Sequence, residues 1–532
     1  MAGTDDTALI AELENAGDAD LAPLRGLRRG IEKEGLRVTR DGTLAQTPHP
    51  LGLGSALTHP NVTTDFSEAQ LELITEPYDD VDACLAKLAE VHGWVYRNIG
   101  DEVIWGASMP CVLGDDAAIP LGRYGISNVG TSKTVYRRGL GHRYGRAMQT
   151  ISGIHYNFSV PESFWAWLAA STGDDGDLQA LATRRYFGLI RNFRRHSWLL
   201  FYLFGASPAV CRSFLKGRDH GLDAFDEGSL YRPHATSLRM GGLGYQSDAQ
   251  ASLKVSYNSL ASYARTLARG LTEPWDEYEA IGLEVGGEFQ QLSTSLLQIE
   301  NEFYGTIRPK RSTRSGERPL HALGERGVEY VEVRCMDVNP YLPLGIDAET
   351  IHFIDVFLLH CLLTDSPDDS PEEIEAQQRN RTRVVERGRE PGLELEAMDG
   401  TRTLDAWGAE LLDDCERVAA VLDRARGTDD ASRSLAVQRA RLADASLTPS
   451  ARILAEMGDR GVPFFRVAMD ASIRHAEHFA AADLSEETLA RLAEESRASL
   501  AEQARIEAAD EIDFATYRQR FIEQPLLPEA GL

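Results

Sequence analysis

The residues of this 532-residue chain best suited to chemistry are two glutamates, Glu32 and Glu34, in the short apolar segment 31–38. In an extended strand, residues two apart lie on the same face, about 7 Å from each other. Two like charges so placed repel unless a cation lies between them. Hard divalent ions such as Mg²⁺ prefer oxygen ligands and keep positions open for phosphate. Taken alone, the pair is also typical of a solvated strand face.

Three further segments, at residues 70–77, 153–160 and 328–335, alternate polar and apolar residues as half-buried strands do. Their polar faces carry side chains able to bind a metal ion or a phosphate: Glu72, His155, Asn157, Ser159, Glu332 and Arg334. Asp65, just before the first of these segments, adds a carboxylate. Each segment alone is compatible with an ordinary surface strand. Together the four strands predict a sheet whose polar face is a site, although periodicity does not show that they are neighbours.

Composition excludes several functions. The net charge of −27 argues against nucleic acid as a partner, because phosphate binding needs clustered Lys and Arg. It also argues against an anionic membrane surface. The amino terminus lacks the pattern of a secretory signal, and the most apolar stretch, residues 198–210, is too short to span a bilayer. These features predict a soluble cytoplasmic protein.

The six cysteines are widely spaced and form no C-x-x-C pair. This spacing gives little support to a disulfide framework or a structural zinc site. Six free thiols in a reducing compartment are therefore expected.

The chain contains no G-x-x-x-x-G-K-[ST] phosphate loop and no G-x-S-x-G elbow. A phosphate-handling enzyme built on it would have to hold nucleotide through metal ions on carboxylates and through arginines. One compact basic segment, residues 306–316, stands out in this acidic chain. It is compatible with a surface loop that balances acidic neighbours. It is also compatible with a polyphosphate contact, because planar guanidinium groups match phosphate oxygens.

Hydrophobic periodicity predicts helices over residues 80–99, 177–204 and 248–270, and an irregular Gly-rich region over 100–160. Strands are dispersed between these elements rather than alternating regularly with helices, which predicts an α+β fold. The carboxy-terminal third is helical by pattern, over residues 405–426, 430–457 and 485–512. Nothing catalytic stands out there.

At these residues the chain resembles the glutamate–cysteine ligase (γ-glutamylcysteine synthetase) family of the proteobacterial monomer type. The matching stretches occur in collinear order, at residues 30–38, 54–66, 108–111, 143–145, 148–159, 202–208, 235–239, 297–302, 307–311 and 331–334. They cover about residues 25–345, with weaker likeness in the helical third. So many matches in order are far more specific than any single motif.

The resemblance implies a glutamine-synthetase-like antiparallel sheet that carries the active site, flanked by helices, with a mainly helical carboxy-terminal region. It implies ATP-dependent joining of the γ-carboxylate of L-glutamate to the amine of L-cysteine, the first step of glutathione biosynthesis. Mg²⁺ ions, or Mn²⁺ in their place, would bridge nucleotide and glutamate. The implied organisation is a helical lead-in over 1–29, a catalytic domain over 30–345 and a helical region over 346–532 packed on it. A monomer is expected.

The family's site residues carry over by matching position. The implied metal ligands are Glu32, Glu34, Asp65, Glu72, His155 and Glu332. The implied catalytic residues are Arg334, Arg239 and Arg137, of which Arg239 also binds substrate. The other implied substrate-binding residues are Tyr136, Gln149, Tyr245 and Tyr304, with the three tyrosines around the cysteine.

Three other interpretations remain at this point. A sibling ligase would share the ATP and glutamate half but use a different amine. A non-catalytic binding protein would keep the fold without the reaction. A metal-dependent phosphatase would release phosphate without any acceptor.

Overall fold

The computed structural model describes residues 7–243, 250, 253–314 and 316–527. Its strands are β1 (Arg28–Val38), β2 (Val62–Thr64), β3 (Gln70–Ile74), β4 (Val103–Ile104), β5 (Ile154–Ser159), β6 (Ala209–Cys211), β7 (Asp223–Ala224), β8 (Ser229–Tyr231), β9 (Glu284–Val285), β10 (Glu288–Phe289), β11 (Ile307–Lys310), β12 (Tyr330–Met336), β13 (Glu394–Ala397) and β14 (Gly400–Thr403).

The α-helices of the described part span Ala8–Asn15, Asp18–Leu21, Val81–Tyr96, Asn128–Tyr144, Arg146–Gln149, Glu162–Thr172, Leu178–His196, Trp198–Phe204, Leu260–Thr272, Asp276–Ile281, Pro319–Arg326, Ala348–Leu363, Pro371–Arg387, Leu404–Arg426, Asp430–Ala443, Pro449–Arg460, Phe464–Ala480, Glu486–Ala508 and Phe514–Ile522. Short 3₁₀ turns lie at Ala22–Gly26, Leu51–Leu53, Asp116–Ala118, Arg212–Leu215, Leu238–Met240, Glu300–Glu302 and Ala445–Leu447. The fold is a mixture of helix and antiparallel sheet, as the α+β prediction requires.

The central sheet has seven strands in the order β11-β12-β5-β1-β3-β2, with β4 pairing to the far end of β1. Every pairing in this sheet is antiparallel. All four strands predicted from alternating polarity are present, and they are neighbours in the middle of the sheet. The register places Glu34 opposite Glu72 and Glu32 opposite His155.

The two faces of β1 have different surroundings because side chains alternate along a strand. Glu32 and Glu34 share one face, as predicted. On the other face, Ile31 belongs to the main hydrophobic core. The helix Ala348–Leu363 lies in this core and is buried nearly all round, as expected for a helix without a polar face. Its Asp355 bonds to Arg29 and Tyr156 on the reverse face of the sheet.

The main hydrophobic cluster runs from Ile10 through the reverse face of the sheet to Leu442. The helices after residue 345 therefore pack on the same core as β1 and β5. The apolar stretch that begins at residue 198 belongs to this core, since all seven residues of the helix Trp198–Phe204 are buried. The division at residues 29/30 and 345/346 stays a prediction.

Two predictions of secondary structure are wrong in part. Residues 100–160 are not irregular throughout, because Asn128–Tyr144 is a helix of 17 residues. The helix predicted over 248–270 is not continuous, since residues 253–259 are not helical and the helix Leu260–Thr272 begins where Ser259 forms a capping box with Ser262. The described part of 248–259, residue 250 and residues 253–259, includes an extended segment whose Leu253, Val255 and Tyr257 are buried.

The expectation of six free thiols is wrong for one pair. Cys111 and Cys211 form a disulfide, with their Cα atoms 5.2 Å apart. The two cysteines are separated by 100 residues, and only the pairing of distant segments brings them together. The other four, Cys84, Cys335, Cys361 and Cys415, are free and buried.

Among the described residues, every helix is either too short or too polar to cross a lipid bilayer.

Candidate functional site

The polar face of the central sheet brings an imidazole into a group of carboxylates. His155 Nδ1 lies 3.0 Å from Glu32 Oε2 and 3.7 Å from Glu332 Oε1. His155 Nε2 lies 3.5 Å from Glu34 Oε1. One ligand atom each from Glu32, Glu72 and His155 lies within 4.8 Å of the others. Three adjacent strands, β3, β1 and β5, supply these groups, so the spacing is fixed by backbone pairing rather than by loops.

These side chains line the floor of a cavity of about 800 Å³. The cavity also contains every other described residue that the sequence predicted for the site. The predicted residues that line it are Glu32, Glu34, Asp65, Glu72, Tyr136, Arg137, Gln149, His155, Arg239, Tyr304, Glu332 and Arg334. Tyr245 lies outside the described residues.

The half of the floor formed by β1 and β3 is acidic. Burial raises the pKa of Glu72 well above its ordinary value, and the negative charges of Glu32 and Asp65 add to the rise. Burial also raises the pKa of Glu34, and Asp65 contributes, although His155 opposes the change. Burial and the neighbouring carboxylates therefore both disfavour the ionised forms of Glu34 and Glu72 in this half of the floor.

The half formed by β11 and β12 is basic. Burial disfavours the ionised form of Glu332, but Arg334 and Lys310 outweigh it and hold the pKa of Glu332 well below its ordinary value. Arg334 Nη1 lies 3.0 Å from Glu332 Oε1, and Lys310 Nζ lies 3.4 Å from Glu332 Oε2. Burial raises the pKa of Glu32, but a hydrogen bond from His155 is the main opposing influence and the net pKa is lowered.

Arg239 is held beside the floor by β12 and by the residue that follows this strand. Its Nη1 lies 3.6 Å from Asp337 Oδ1, and its Nη2 donates to the carbonyl of Arg334 at 3.2 Å. A Cβ on Gly153 would collide with Arg239 Nη2. Glycine is therefore needed at the entry to β5 for the guanidinium to approach the sheet.

Arg137 and Tyr136 come from the helix Asn128–Tyr144, which forms one side wall. The Arg137 guanidinium lies over the ring of Tyr124, 4.5 Å from its centre, and Arg137 Nε donates to the carbonyl of Asp65. Arg137 therefore holds the Asp65 segment against the helix. The backbone carbonyl of Tyr136 accepts a hydrogen bond from Gln298 Nε2 at 3.3 Å.

The comparisons with known proteins agree with this geometry. The sequence profile described as glutamate–cysteine ligase matches residues 10–384. The chain belongs to the glutamate–cysteine ligase family. The resemblance predicted from the sequence is confirmed, and the chain is assigned to the ligases.

Relatives within the glutamate–cysteine ligase family extend over nearly the whole chain. The glutamate–cysteine ligase of Saccharophagus degradans is 53% identical over 476 residues, which are 89% of this chain and 90% of the relative. That of Alcanivorax borkumensis is 50% identical over 514 residues, 96% of this chain and 97% of the relative. A crystal structure of the glutamate–cysteine ligase of Francisella tularensis in complex with AMP superposes with a TM-score of 0.88. It is 37% identical and covers 94% of this chain and 98% of that one.

The donor set in this member of the glutamate–cysteine ligase family fits a hard divalent cation. Carboxylate oxygens, the ligands that suit Mg²⁺ and Mn²⁺, dominate it, and one imidazole nitrogen adds to them. Oε2 of Glu332 is buried and accepts no hydrogen bond from the described residues, so it has a lone pair left for a ligand. Asn157 Nδ2 donates to Glu32 Oε1 at 2.9 Å, which orients that carboxylate from beneath.

Several cavity residues were not predicted individually. Arg308, Lys310, Thr313 and Arg314 all come from the basic segment 306–316, whose composition had marked it as a candidate polyphosphate contact. Lys133 lies one helical turn before Arg137, and burial lowers its pKa to about 8. Tyr517 and Phe521 come from the last helix and carried no signal in the sequence, because their functional context depends entirely on tertiary packing.

Proposed function

We propose that this protein uses ATP to join the γ-carboxylate of L-glutamate to the amine of L-cysteine, giving γ-glutamylcysteine for glutathione biosynthesis. Family membership supports the reaction, and the AMP complex of the Francisella tularensis relative supports the nucleotide. The observation that carries the proposal in this chain is the convergence of five carboxylates, one imidazole and two buried arginines on one cavity. The antiparallel sheet beneath it supports a glutamine-synthetase-like architecture.

The chemistry requires both halves of the floor. A free carboxylate is a poor acyl donor, so the γ-carboxylate is first converted to an acyl phosphate by the γ-phosphoryl group of ATP. The cysteine amine then attacks the acyl carbon and phosphate leaves. Negative charge develops on the transferring phosphoryl oxygens, and fixed positive groups stabilise it there. Arg334 and Arg239 are positioned for this role because both are anchored to the backbone or to carboxylates around the floor.

We assign metal binding to Glu32, Glu34, Asp65, Glu72, His155 and Glu332. A divalent ion bound there would neutralise nucleotide phosphate and hold it in line with the glutamate carboxylate. His155 must be neutral to bind metal, and Glu72 must lose its proton. Burial raises the pKa of Glu72, and a bound cation would instead favour its ionised form.

Glutamate and cysteine are assigned to the walls. Gln149 and Arg239 line the cavity at the entry to β5 and are both buried, which suits recognition of the glutamate backbone groups. Tyr136 and Tyr304 line another part of the wall and are assigned to the cysteine together with Tyr245. The acyl phosphate must be kept from water, which the enclosure of the floor beneath these walls favours.

The proposal also includes the oligomeric state, the compartment and the domain division expected from the sequence. The protein acts as a monomer in the cytoplasm, with the helical region after residue 345 packed on a catalytic domain that begins at residue 30. Gel filtration with light scattering tests the monomer directly. A dimer whose partner completes the cavity would contradict it.

The test of the function is a product assay on the purified protein. ADP release should require glutamate, cysteine and Mg²⁺ together, and mass spectrometry should identify γ-glutamylcysteine. Running the same assay with a panel of amines separates this function from the sibling ligase with another acceptor. Phosphate release without any acceptor would favour the phosphatase interpretation, and no nucleotide turnover in any combination would contradict the proposal.

A further inference from the structure

The last helix of the described chain, Phe514–Ile522, forms part of the cavity wall. Tyr517 and Phe521, one helical turn apart, line the same cavity as the metal-ligand carboxylates. They face the cavity together because residues four apart lie on one side of a helix. The helical third of the chain therefore reaches the catalytic centre, although nothing in its sequence indicated a site.

The segment just before this helix is hydrogen-bonded to the helix Asn128–Tyr144, the part of the wall that carries Tyr136 and Arg137. The carboxylate of Asp510 accepts a hydrogen bond from the backbone N–H of Asn128 at 2.6 Å. The carbonyl of Ile512 accepts another from Asn128 Nδ2 at 2.8 Å. These bonds occupy the amino-terminal end of the helix Asn128–Tyr144, where an anionic group is favoured by the exposed N–H groups.

The carboxy-terminal end of the same helix contacts the basic segment, residues 306–316, and the neighbouring Arg318. The Arg318 guanidinium lies over the Phe521 ring, 5.2 Å from its centre. Gln524 Nε2 donates to the carbonyl of Gly316 at 3.0 Å. Arg318 is itself locked by a buried two-point pair with Glu300, at 3.0 Å for both contacts. The aromatic pair is thereby held next to Arg314 and Gly316, which line the cavity as well.

The two kinds of lining suit the two ends of a nucleotide. Carboxylates, arginines and Lys310 on the floor fit a metal-bound polyphosphate. Tyr517 and Phe521 offer aromatic surface, on which a base can stack. Because this surface adjoins the basic segment, a nucleotide whose phosphates meet Lys310 and Arg314 has its base within reach of the last helix.

We propose that Tyr517 and Phe521 contact the purine base of ATP and make the helix Phe514–Ile522 a determinant of nucleotide affinity. This inference rests on the proposed function, because it takes ATP as the occupant of the cavity. It assigns the base, rather than the phosphates or the amino acids, to the last helix.

The test measures binding of two probes by calorimetry in the presence of Mg²⁺: ATP, and inorganic tripolyphosphate, which has no base. Tyr517→Ala should weaken ATP binding about tenfold, the order of effect expected from losing one aromatic stacking partner. Tripolyphosphate binding should be unchanged. Tyr517→Phe keeps the ring and should bind ATP within about twofold of the wild type. Arg520→Ala, on the exposed side of the same helix, is the matched control and should bind both probes normally.

Phe521→Ala gives a second measurement at the other end of the pair and should also weaken ATP without affecting tripolyphosphate. Equal weakening of both probes by Tyr517→Ala would overturn the assignment, since it would place the ring near the phosphates or point to a general loss of structure. Unchanged ATP affinity would overturn it as well. A wild-type protein that binds ATP through Tyr517 but forms no peptide bond would support the base contact and contradict only the proposed ligation.

Discussion

The two faces of one central sheet bury charge in opposite ways. On the reverse face, Arg29 and Asp355 are fully buried and form a pair at 2.8 Å. Tyr156 donates to the second carboxylate oxygen at 2.6 Å, and Arg29 donates to the carbonyl of Asp79 at 2.6 Å. On the cavity face, carboxylates of Glu34 and Glu72 stand directly opposite each other.

The difference separates structural charge from functional charge. Arg29 and Asp355 on the reverse face are partners within the chain, so this buried ion pair forms when the protein folds. The cavity face has raised pKa values at Glu34 and Glu72, mainly because these carboxylates are buried, and the negative charge of Asp65 adds to both rises. Substitutions on the reverse face should therefore alter stability, and those on the cavity face should alter activity.

The largest effect is expected on the cavity face. Glu332→Gln should lower kcat about 10³-fold, because it removes one of the carboxylates assigned to the divalent ion that would neutralise the nucleotide phosphate. The fold should survive, since the amide oxygen can still accept from Arg334, which stays close to Glu32 and Glu34. Steady-state kinetics measures the fall in kcat, and thermal unfolding of the same preparation shows whether the fold is retained. Full activity in this variant would remove Glu332 from the site.

The reverse face should give the opposite result. Asp355→Ala should lower the free energy of unfolding by about 3 kcal/mol, because it leaves the buried Arg29 charge without its partner. The KM values of the protein that remains folded should stay close to those of the wild type. Denaturant titration measures the free energy of unfolding, and kinetics at low temperature measures the KM values. A large rise in KM for ATP with unchanged stability would erase the distinction between the faces.

Arg334→Lys asks whether positive charge alone suffices on the cavity face. We expect kcat/KM to fall about 10²-fold, because a point charge cannot replace the planar fork that contacts Glu332 and lies 3.4 Å from His155 Nδ1. Steady-state kinetics at saturating Mg²⁺ measures this fall in kcat/KM. Activity near that of the wild type would show that geometry at this position is unimportant.

The smallest expected effect is on the stability of the metal-free protein. The pKa of Glu72 is raised in the folded state, so its carboxyl favours folding when protonated, below the ordinary value of 4.5. That contribution is lost as pH rises from 4.5 through the raised pKa. At pH 7 without Mg²⁺, Glu72→Gln should therefore be more stable than the wild type, by about 0.2–1 kcal/mol for one opposed like-charge pair.

Thermal unfolding with EDTA and with excess Mg²⁺ measures this change. Mg²⁺ should stabilise the wild type strongly and the Glu72→Gln variant only weakly, because a ligand that binds the folded state stabilises it. A variant that is less stable than the wild type in EDTA would contradict the account of the acidic half.

Alternating polarity was enough to predict the floor of the site. In β1, β3, β5 and β12 the predicted site residues share the cavity face, while the other face packs on the core and carries the buried Arg29. The likeness to a known family then supplied the residues of the walls, such as Gln149 and Arg239. Tyr245 falls outside the described residues.

The helix Asn128–Tyr144 was missed because it contains Gly130, Gly139 and Gly141, and glycine has low helix propensity. Tertiary packing explains two of them. A Cβ on Gly130 would collide with the carbonyl of Tyr124, and one on Gly139 with Gln298. Close approach, rather than flexibility, is the reason for these glycines. The Cys111–Cys211 disulfide was missed because the tertiary fold, and not the sequence, shows that the two cysteines are close together.

The order of the elements along the chain has a consequence for biosynthesis. During translation β1 and β3 emerge early, but the free edge of β5 stays open until β12 has left the ribosome. Pairings between such distant segments form slowly and late. The helix Phe514–Ile522 follows later still. A translation product that stops before this helix would lack Tyr517 and Phe521, so the proposed contact with the nucleotide base would form after the floor of the cavity.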